Sequence, residues 1–430
     1  MKIGLKILGC PKNEADCDVL EGILKSRGHQ IVKNVDEAQV IIIDTCGFIE
    51  SAKRESIEEI LDFVNYKKKH NFFLCVKGCL VQRYPDQLRS EIPEVDAWYG
   101  VLSPSQIADA IEKKVPFLVT QPQTIYDDTT RTCKGSFAYV KIADGCNRSC
   151  TFCAIPSFKG DFKSRSIEII EAEVNNLVKN GVKEVILVAQ DTTAYGIDLY
   201  GKPSLDVLLK KLNSLDGEFR IRVLYLHPDH IDEKVIEAIL SYEKVLPYFD
   251  MPVQHGSDRI LKKMGRSRTS SELLELIEQI RNMNQDAAIR TSIIVGFPGE
   301  TDEDFEKLMN FLKKARFDRL GSFIYSDEEG TVASSLKEKV PAHISQERYE
   351  ELLVFQSQIS YERLERFVGR TLSILIEECQ KNKYVGRSHL DTPEIDGNVF
   401  INSTRKIRIP DYYMVQITSV TEYDMEGVLV

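Results

Sequence analysis

Cys146, Cys150 and Cys153 are the residues of this 430-residue chain whose type and spacing say most about chemistry. They stand in the run Cys146-Asn147-Arg148-Ser149-Cys150-Thr151-Phe152-Cys153, directly after an apolar stretch that reads as a strand. A cubane iron-sulfur cluster normally takes four cysteines, so a site with three leaves one iron open. In radical enzymes that iron takes the amino and carboxylate groups of S-adenosylmethionine. An electron from the cluster then breaks the sulfonium bond and yields a 5′-deoxyadenosyl radical. The competing reading is a zinc site completed by a distant His or Cys, which this run disfavours because no fourth ligand lies nearby. Phe152 is placed either to contact the adenine or to pack the loop.

A second triad is spread along the chain. Cys10, Cys46 and Cys79 each follow an apolar run (KILGC, IIIDTC, FLCVKGC), with Gly9, Gly47 and Gly78 beside them to permit tight turns. If the runs are parallel strands, all three thiols lie on the carboxyl edge of one sheet, where they can hold one metal cluster. Single buried cysteines are common and inert, but three in equivalent positions are not explained that way. Cys75 in mid-run, Cys17 on a helical pattern, Cys133 and Cys379 read as structural.

These residues need elements to hold them. From residue 1 to 120 the sequence alternates strand-like and helical patterns, which predicts a parallel α/β domain; Asn13 and Ser51 are candidate helix caps and Gly28 a helix stop. Residues 121–132 are polar and aperiodic and read as a linker. Over 133–366 six strand-like runs recur with helices between them: FAYVKIADG, EVILVAQD, RIRVLYLHP, YFDMPVQ, IRTSIIVGFPG and RLGSFIYS. Six such units predict a partial parallel (βα)6 barrel with its chemistry at the carboxyl ends of the strands. Those ends carry Cys146, Gln190, Asp191, His227, Gln254, His255 and Gly296. Gln190 and Asp191 are candidates for the cofactor's ribose or amino group, or else satisfy backbone groups. Gln254 and His255 are candidates for cofactor or substrate contact, or for a structural network. Gly296 suits close approach by a cofactor, or an ordinary strand-to-helix turn. Residues 367–430 read as short strands forming a small antiparallel barrel.

Composition sets the outer limits. No apolar run is long enough to span a bilayer, and the start of the chain lacks a secretory pattern, so a cytoplasmic location is expected. Ten cysteines in such a chain favour metal binding over disulfides. The net charge of −10 gives no bulk attraction to nucleic acid.

Taken together, LGCPKN, GFIESAKRESI, DGCNRSCTFCAIPSFKG, AQDTTAYG and GRSHLDTPEIDG resemble the methylthiotransferase family of radical enzymes over the whole length. The resemblance implies an auxiliary 4Fe-4S cluster on Cys10, Cys46 and Cys79, a radical-generating 4Fe-4S cluster on Cys146, Cys150 and Cys153, S-adenosylmethionine as cofactor, and a C-terminal TRAM domain that binds substrate. One branch of the family modifies an adenosine in transfer RNA and another an aspartate of a small-subunit ribosomal protein, and the wording here matches the protein-modifying branch. Charge points the same way: residues 367–430 hold seven Lys/Arg against nine Asp/Glu, a net of −2 that suits a basic ribosomal protein better than phosphates. The chemistry implied is hydrogen abstraction from the aspartate β-carbon and its replacement by a methylthio group. An electron donor, a sulfur donor and a monomeric enzyme are expected, and RNA binding is not required. Lys159 stands where arginine is frequent in the family and Cys17 where serine is.

Overall fold

The computed structural model describes the chain apart from residues 128, 132–134, 381–382 and 404; Cys133 lies outside the described residues. In the N-terminal domain the apolar runs become strands of one six-stranded parallel sheet. Across it the order is Gln30–Ile31, Lys2–Ile7, Val40–Thr45, Phe73–Gly78, Ala97–Tyr99 and Phe117–Leu118. Ile7 pairs with Asp44 and Thr45 with Gly78, so the three central strands end level. Helices Pro11–Ser26 and Pro104–Glu112 cover one face and Glu50–Lys67 the other, each burying its aliphatic stripe.

The caps differ from expectation. The chain turns so sharply at Gly9, φ +110°, that Cys10 itself is the N-cap and Asn13 falls inside the first turn, where its amide donates to Leu8 O and Thr45 O. Ser51 likewise lies inside its helix, which Ile49 caps. Gly28, φ +82°, does follow the helix end. Residues of the 121–132 stretch form no helix or strand among those described, yet they are not a solvated tether. Tyr126 is buried against Arg165 and Lys141, and Arg131 bonds Glu173 and Asp18.

All six expected barrel strands form: Phe137–Lys141, Glu184–Val188, Arg220–Val223, Tyr248–Asp250, Ala288–Val295 and Arg319–Ile324. They pair in parallel as two groups of three, joined where Leu226 N donates to Asp250 O at 2.9 Å. Alternation sends Ala138, Val140, Val185 and Leu187 to the outer helices and Tyr139, Ile186 and Val188 to the interior. Phe137–Lys141 and Arg319–Ile324 are the edge strands, and the N-terminal domain addresses both. Its helix Pro11–Ser26 packs on the first, while Lys53 and Arg83 reach Glu328 just past the second.

The C-terminal strands Thr371–Gln380, Lys383–Arg387, Val399–Asn402, Met425–Leu429 and Asp411–Val420 close a barrel in that order. It is not wholly antiparallel, because Val399–Asn402 and Met425–Leu429 run parallel. Five strands in a closed ring cannot alternate direction all the way round. This barrel seats on the amino ends of the central strands, opposite the expected mouth. Arg222 and Arg387 grip Glu184 there, and Tyr248 Oη donates to Asp396. A cavity of about 640 Å³ lined by Ser136, Lys183, Glu377 and Arg408 lies in the same seam, away from both cysteine triads.

Candidate active site between two cysteine triads

The first triad gathers because its three loops touch. A Cβ built on Gly9 would lie 3.2 Å from Cys46 Cβ, and one on Gly47 would lie 2.8 Å from the backbone of Cys79. No side chain larger than hydrogen fits between the turns at Gly47 without displacing backbone. Cys10 and Cys46 are part-exposed and Cys79 is buried. Burial pushes the Cys46 thiol up to about 11 and the Cys79 thiol to about 12, with neighbouring thiols of the triad adding to both. Free thiols placed this way stay protonated, and a metal must displace their protons.

The second triad sits on a loop pinned at many points. Gly145, φ +74°, permits the turn into Cys146, whose N–H donates to Gly160 O at 3.1 Å. Thr151 N donates to Met264 O, Thr151 Oγ1 to Lys263 O and Ala333 N to Thr151 O. Arg148 N points at Cys146 Sγ, 3.4 Å away, and Arg148 Nε bonds Asp191 at 2.7 Å. His227 Nε2 lies 4.0 Å from Cys150 Sγ and accepts from Arg266; burial and that guanidinium push His227 down to about 3, so it is neutral. Burial raises Cys153 to about 12. The two triads share a boundary: Cys79 lies in one buried cluster with Val101, Phe158 and Ala154, the residue after Cys153.

The remaining expected residues divide. Gln190 follows the barrel strand Glu184–Val188 by two residues, and its Oε1 is buried without a hydrogen-bond partner. Both oxygens of Asp191 are engaged, one by Arg148 and one by Thr193, so it orients the cysteine loop. Phe152 packs with Met264, Phe297 and Ala333, the loop-packing alternative. Gln254 holds φ +76° and pairs through its backbone with Ser292 and Ile294. His255 is fully buried, accepting from Ser257 N, with Nε2 3.3 Å from Glu300 Oε2 but off the hydrogen-bond axis. It belongs to the structural network of Glu300 and Arg348. At Gly296, φ +72°, the close neighbour is the C-terminal helix: a Cβ would meet Ser345 Oγ at 2.2 Å. Cys75 and Cys17 are buried, Cys17 donating to Asp44; Cys379 is exposed on the C-terminal barrel, not packed.

Family models match residues 2–100 (uncharacterized protein family UPF0004), 140–312 (radical SAM superfamily) and 368–430 (TRAM domain). The ribosomal protein uS12 methylthiotransferase RimO of Pseudothermotoga lettingae is 68% identical over 430 residues, covering 100% of both chains. That of Thermotoga maritima is 56% identical over 429 residues, covering 99% of each. The chain belongs to the RimO methylthiotransferase family. Among solved structures, the radical S-adenosylmethionine methyltransferase TsrM from Kitasatospora setae shares the fold at TM-score 0.57 and 14% identity, over 75% of this chain and 72% of that one. The cobalamin-dependent radical enzyme OxsB does so at 0.53 and 11%, over 83% and 56%.

Membership in this family brings a 4Fe-4S cluster and S-adenosylmethionine. The chain's residues fit such a group: three thiols on one pinned loop, a backbone N–H aimed at a sulfur, and the unpartnered Gln190 Oε1 close in sequence to the loop's anchor Asp191. Among the described residues no group of three or more His, Cys, Asp and Glu forms a single-ion site. A cubane distributes its thiolates over different irons, so the two observations agree. Sequence reasoning missed the buried charges at the domain boundary: Lys12, Lys77 on Asp44, and Lys141 and Lys159 on Asp144. For Lys12, Lys77 and Lys159 the signal was proximity to the cysteine motifs, in CPKN, VKGC and PSFKG.

Proposed function

We propose that this chain methylthiolates the β-carbon of an aspartate on the small-subunit ribosomal protein uS12, the substrate that its relatives' names carry. The observation that supports it best is the buried cluster that Cys79 shares with Ala154, the residue after Cys153, across one domain boundary. In this reading Cys10, Cys46 and Cys79 hold the auxiliary 4Fe-4S cluster and Cys146, Cys150 and Cys153 the radical-generating one. When bound, the clusters and S-adenosylmethionine supply the radical that removes the β-hydrogen and the methylthio group that replaces it. Asp191 fixes Arg148 and so the radical loop, Gln190 offers an acceptor to the cofactor, and Arg83, bonded to Gly47 O, steadies the auxiliary loops. Gln254, with strained backbone at a strand end, serves cofactor or substrate contact. The divisions 1–120, 133–366 and 367–430, a cytoplasmic monomer, and outside donors of electrons and sulfur complete the proposal. No helix among the described residues is long and apolar enough to cross a membrane.

The test offers anaerobically reconstituted enzyme, with reductant, sulfide and S-adenosylmethionine, either the ribosomal protein or unmodified transfer RNA. Mass spectrometry should find the methylthio group on an aspartate of the protein. Its appearance on the RNA alone would transfer the chain to the other branch of the family.

A further inference from the structure

Lys12 is a buried lysine with no carboxylate in ion-pair contact, although Asp144 lies within reach of its charge. Two residues after Cys10, its side chain is only 6% exposed, and it crosses from the N-terminal domain to the central barrel. Its Nζ donates to Ala189 O at 3.4 Å, at the long limit for such a bond, and lies 4.2 Å from the centroid of the Tyr225 ring. The other buried lysines of this boundary are all paired: Lys77 with Asp44 at 2.7 Å, Lys159 with Asp144 at 3.3 Å, and Lys141 with Asp16 and Asp144. Among the described residues no carboxylate stands within 4.0 Å of Lys12 Nζ. A buried ammonium is ordinarily matched by an anion, and a long bond to one carbonyl and a ring face is a poor substitute.

The position of Lys12 says which anion. Ala189 and Tyr225 stand at the carboxyl ends of neighbouring barrel strands, and Lys12 follows Cys10 by two residues, so its side chain runs from the first triad's loop to the barrel mouth. Next to Ala189 is Gln190, whose buried Oε1 has no hydrogen-bond partner. Tyr225 itself is held at φ +61°, a conformation an L-residue keeps only where the surroundings enforce it. The substrate side chain in the function proposed above is an aspartate, ionised at neutral pH, and burying it unpaired beside two clusters would be costly.

Resting on that reading, we propose that Lys12 binds the carboxylate of the target aspartate and makes the site specific for an acidic side chain. A site built to pair a charged group rejects an isostere lacking the charge by a large factor, because its own buried ion is then left unmatched. The experiment compares wild type, Lys12→Met and Lys12→Arg on the ribosomal protein and on a form with asparagine at the target position. Iron content and cluster absorbance of each variant are recorded first. Wild type should favour aspartate over asparagine by 100-fold or more in kcat/KM. Lys12→Met should bring that ratio near one, chiefly through a higher KM for the aspartate form, and Lys12→Arg should restore most of it. A wild-type ratio retained in Lys12→Met overturns the inference. So does a wild type indifferent to the asparagine form, a result that needs no variant to fold. Activity on transfer RNA alone would defeat the functional reading and this inference with it, whereas modification of both protein forms at equal rates defeats the inference only.

Discussion

At the scale of single residues, what could be read in the sequence was the set whose chemistry is carried by type and spacing. The six cysteines are of that kind: one triad is contiguous, and the other is marked by recurrence at strand ends. Gly296 shows the limit. Two glycines after a strand fit a cofactor's approach as well as a turn, but the crowding neighbour is Ser345, 49 positions on, and no local pattern announces a helix that returns so late. His255 shows the same limit, since Glu300 and Arg348 enclose it from two other elements. The glycine reading has a consequence for stability. Gly296→Ala must hold φ +72° and push against Ser345 Oγ, so urea unfolding should show a loss of at least about 1–2 kcal/mol. An unchanged midpoint would mean that the helix Ala342–Glu365 yields freely there.

At the scale of elements, strand order and helix faces followed from periodicity, because alternation of apolar residues is a local property. Contacts between domains did not follow. Glu328 accepts from Lys53 and Arg83, residues 275 and 245 positions away, and is buried to 2% exposure. Arg83 also bonds Gly47 O, beside Cys46, and shares a short helix with Cys79. One carboxylate therefore ties the loops of Cys46 and Cys79 to the segment just past the last barrel strand. Glu328→Gln should leave the fold in place but loosen this tie. The expected result is a fall of about tenfold, worth about 1.4 kcal/mol, in methylthio product formed per 5′-deoxyadenosine released. If product and deoxyadenosine fall together, the latch acts on the barrel alone.

At the scale of the whole molecule, three domains meet through buried charge. Glu184 is the clearest case. Burial alone would raise its pKa, but Arg222 and Arg387 outweigh burial and hold the carboxyl below its usual range. A carboxylate lowered in the folded state adds stability above its unfolded pKa, about 4.3, and that contribution is lost as the pH falls through the folded value. Thermal unfolding from pH 7 downward should accordingly show the melting temperature dropping below about pH 4, and less steeply in Glu184→Gln, which starts lower. A parallel pH course in the two proteins would remove Glu184 from the docking of the C-terminal barrel.

The two triads and the domain boundary between them lead to one claim, that a radical formed at the barrel's cysteine loop removes a hydrogen from the β-carbon of a ribosomal-protein aspartate. The direct measurement uses uS12 deuterated at the aspartate β-carbon, incubated with the reconstituted enzyme, reductant, sulfide and S-adenosylmethionine. Deuterium should appear in the 5′-deoxyadenosine released. Deoxyadenosine free of deuterium, while uS12 nonetheless gains its methylthio group, would contradict the account.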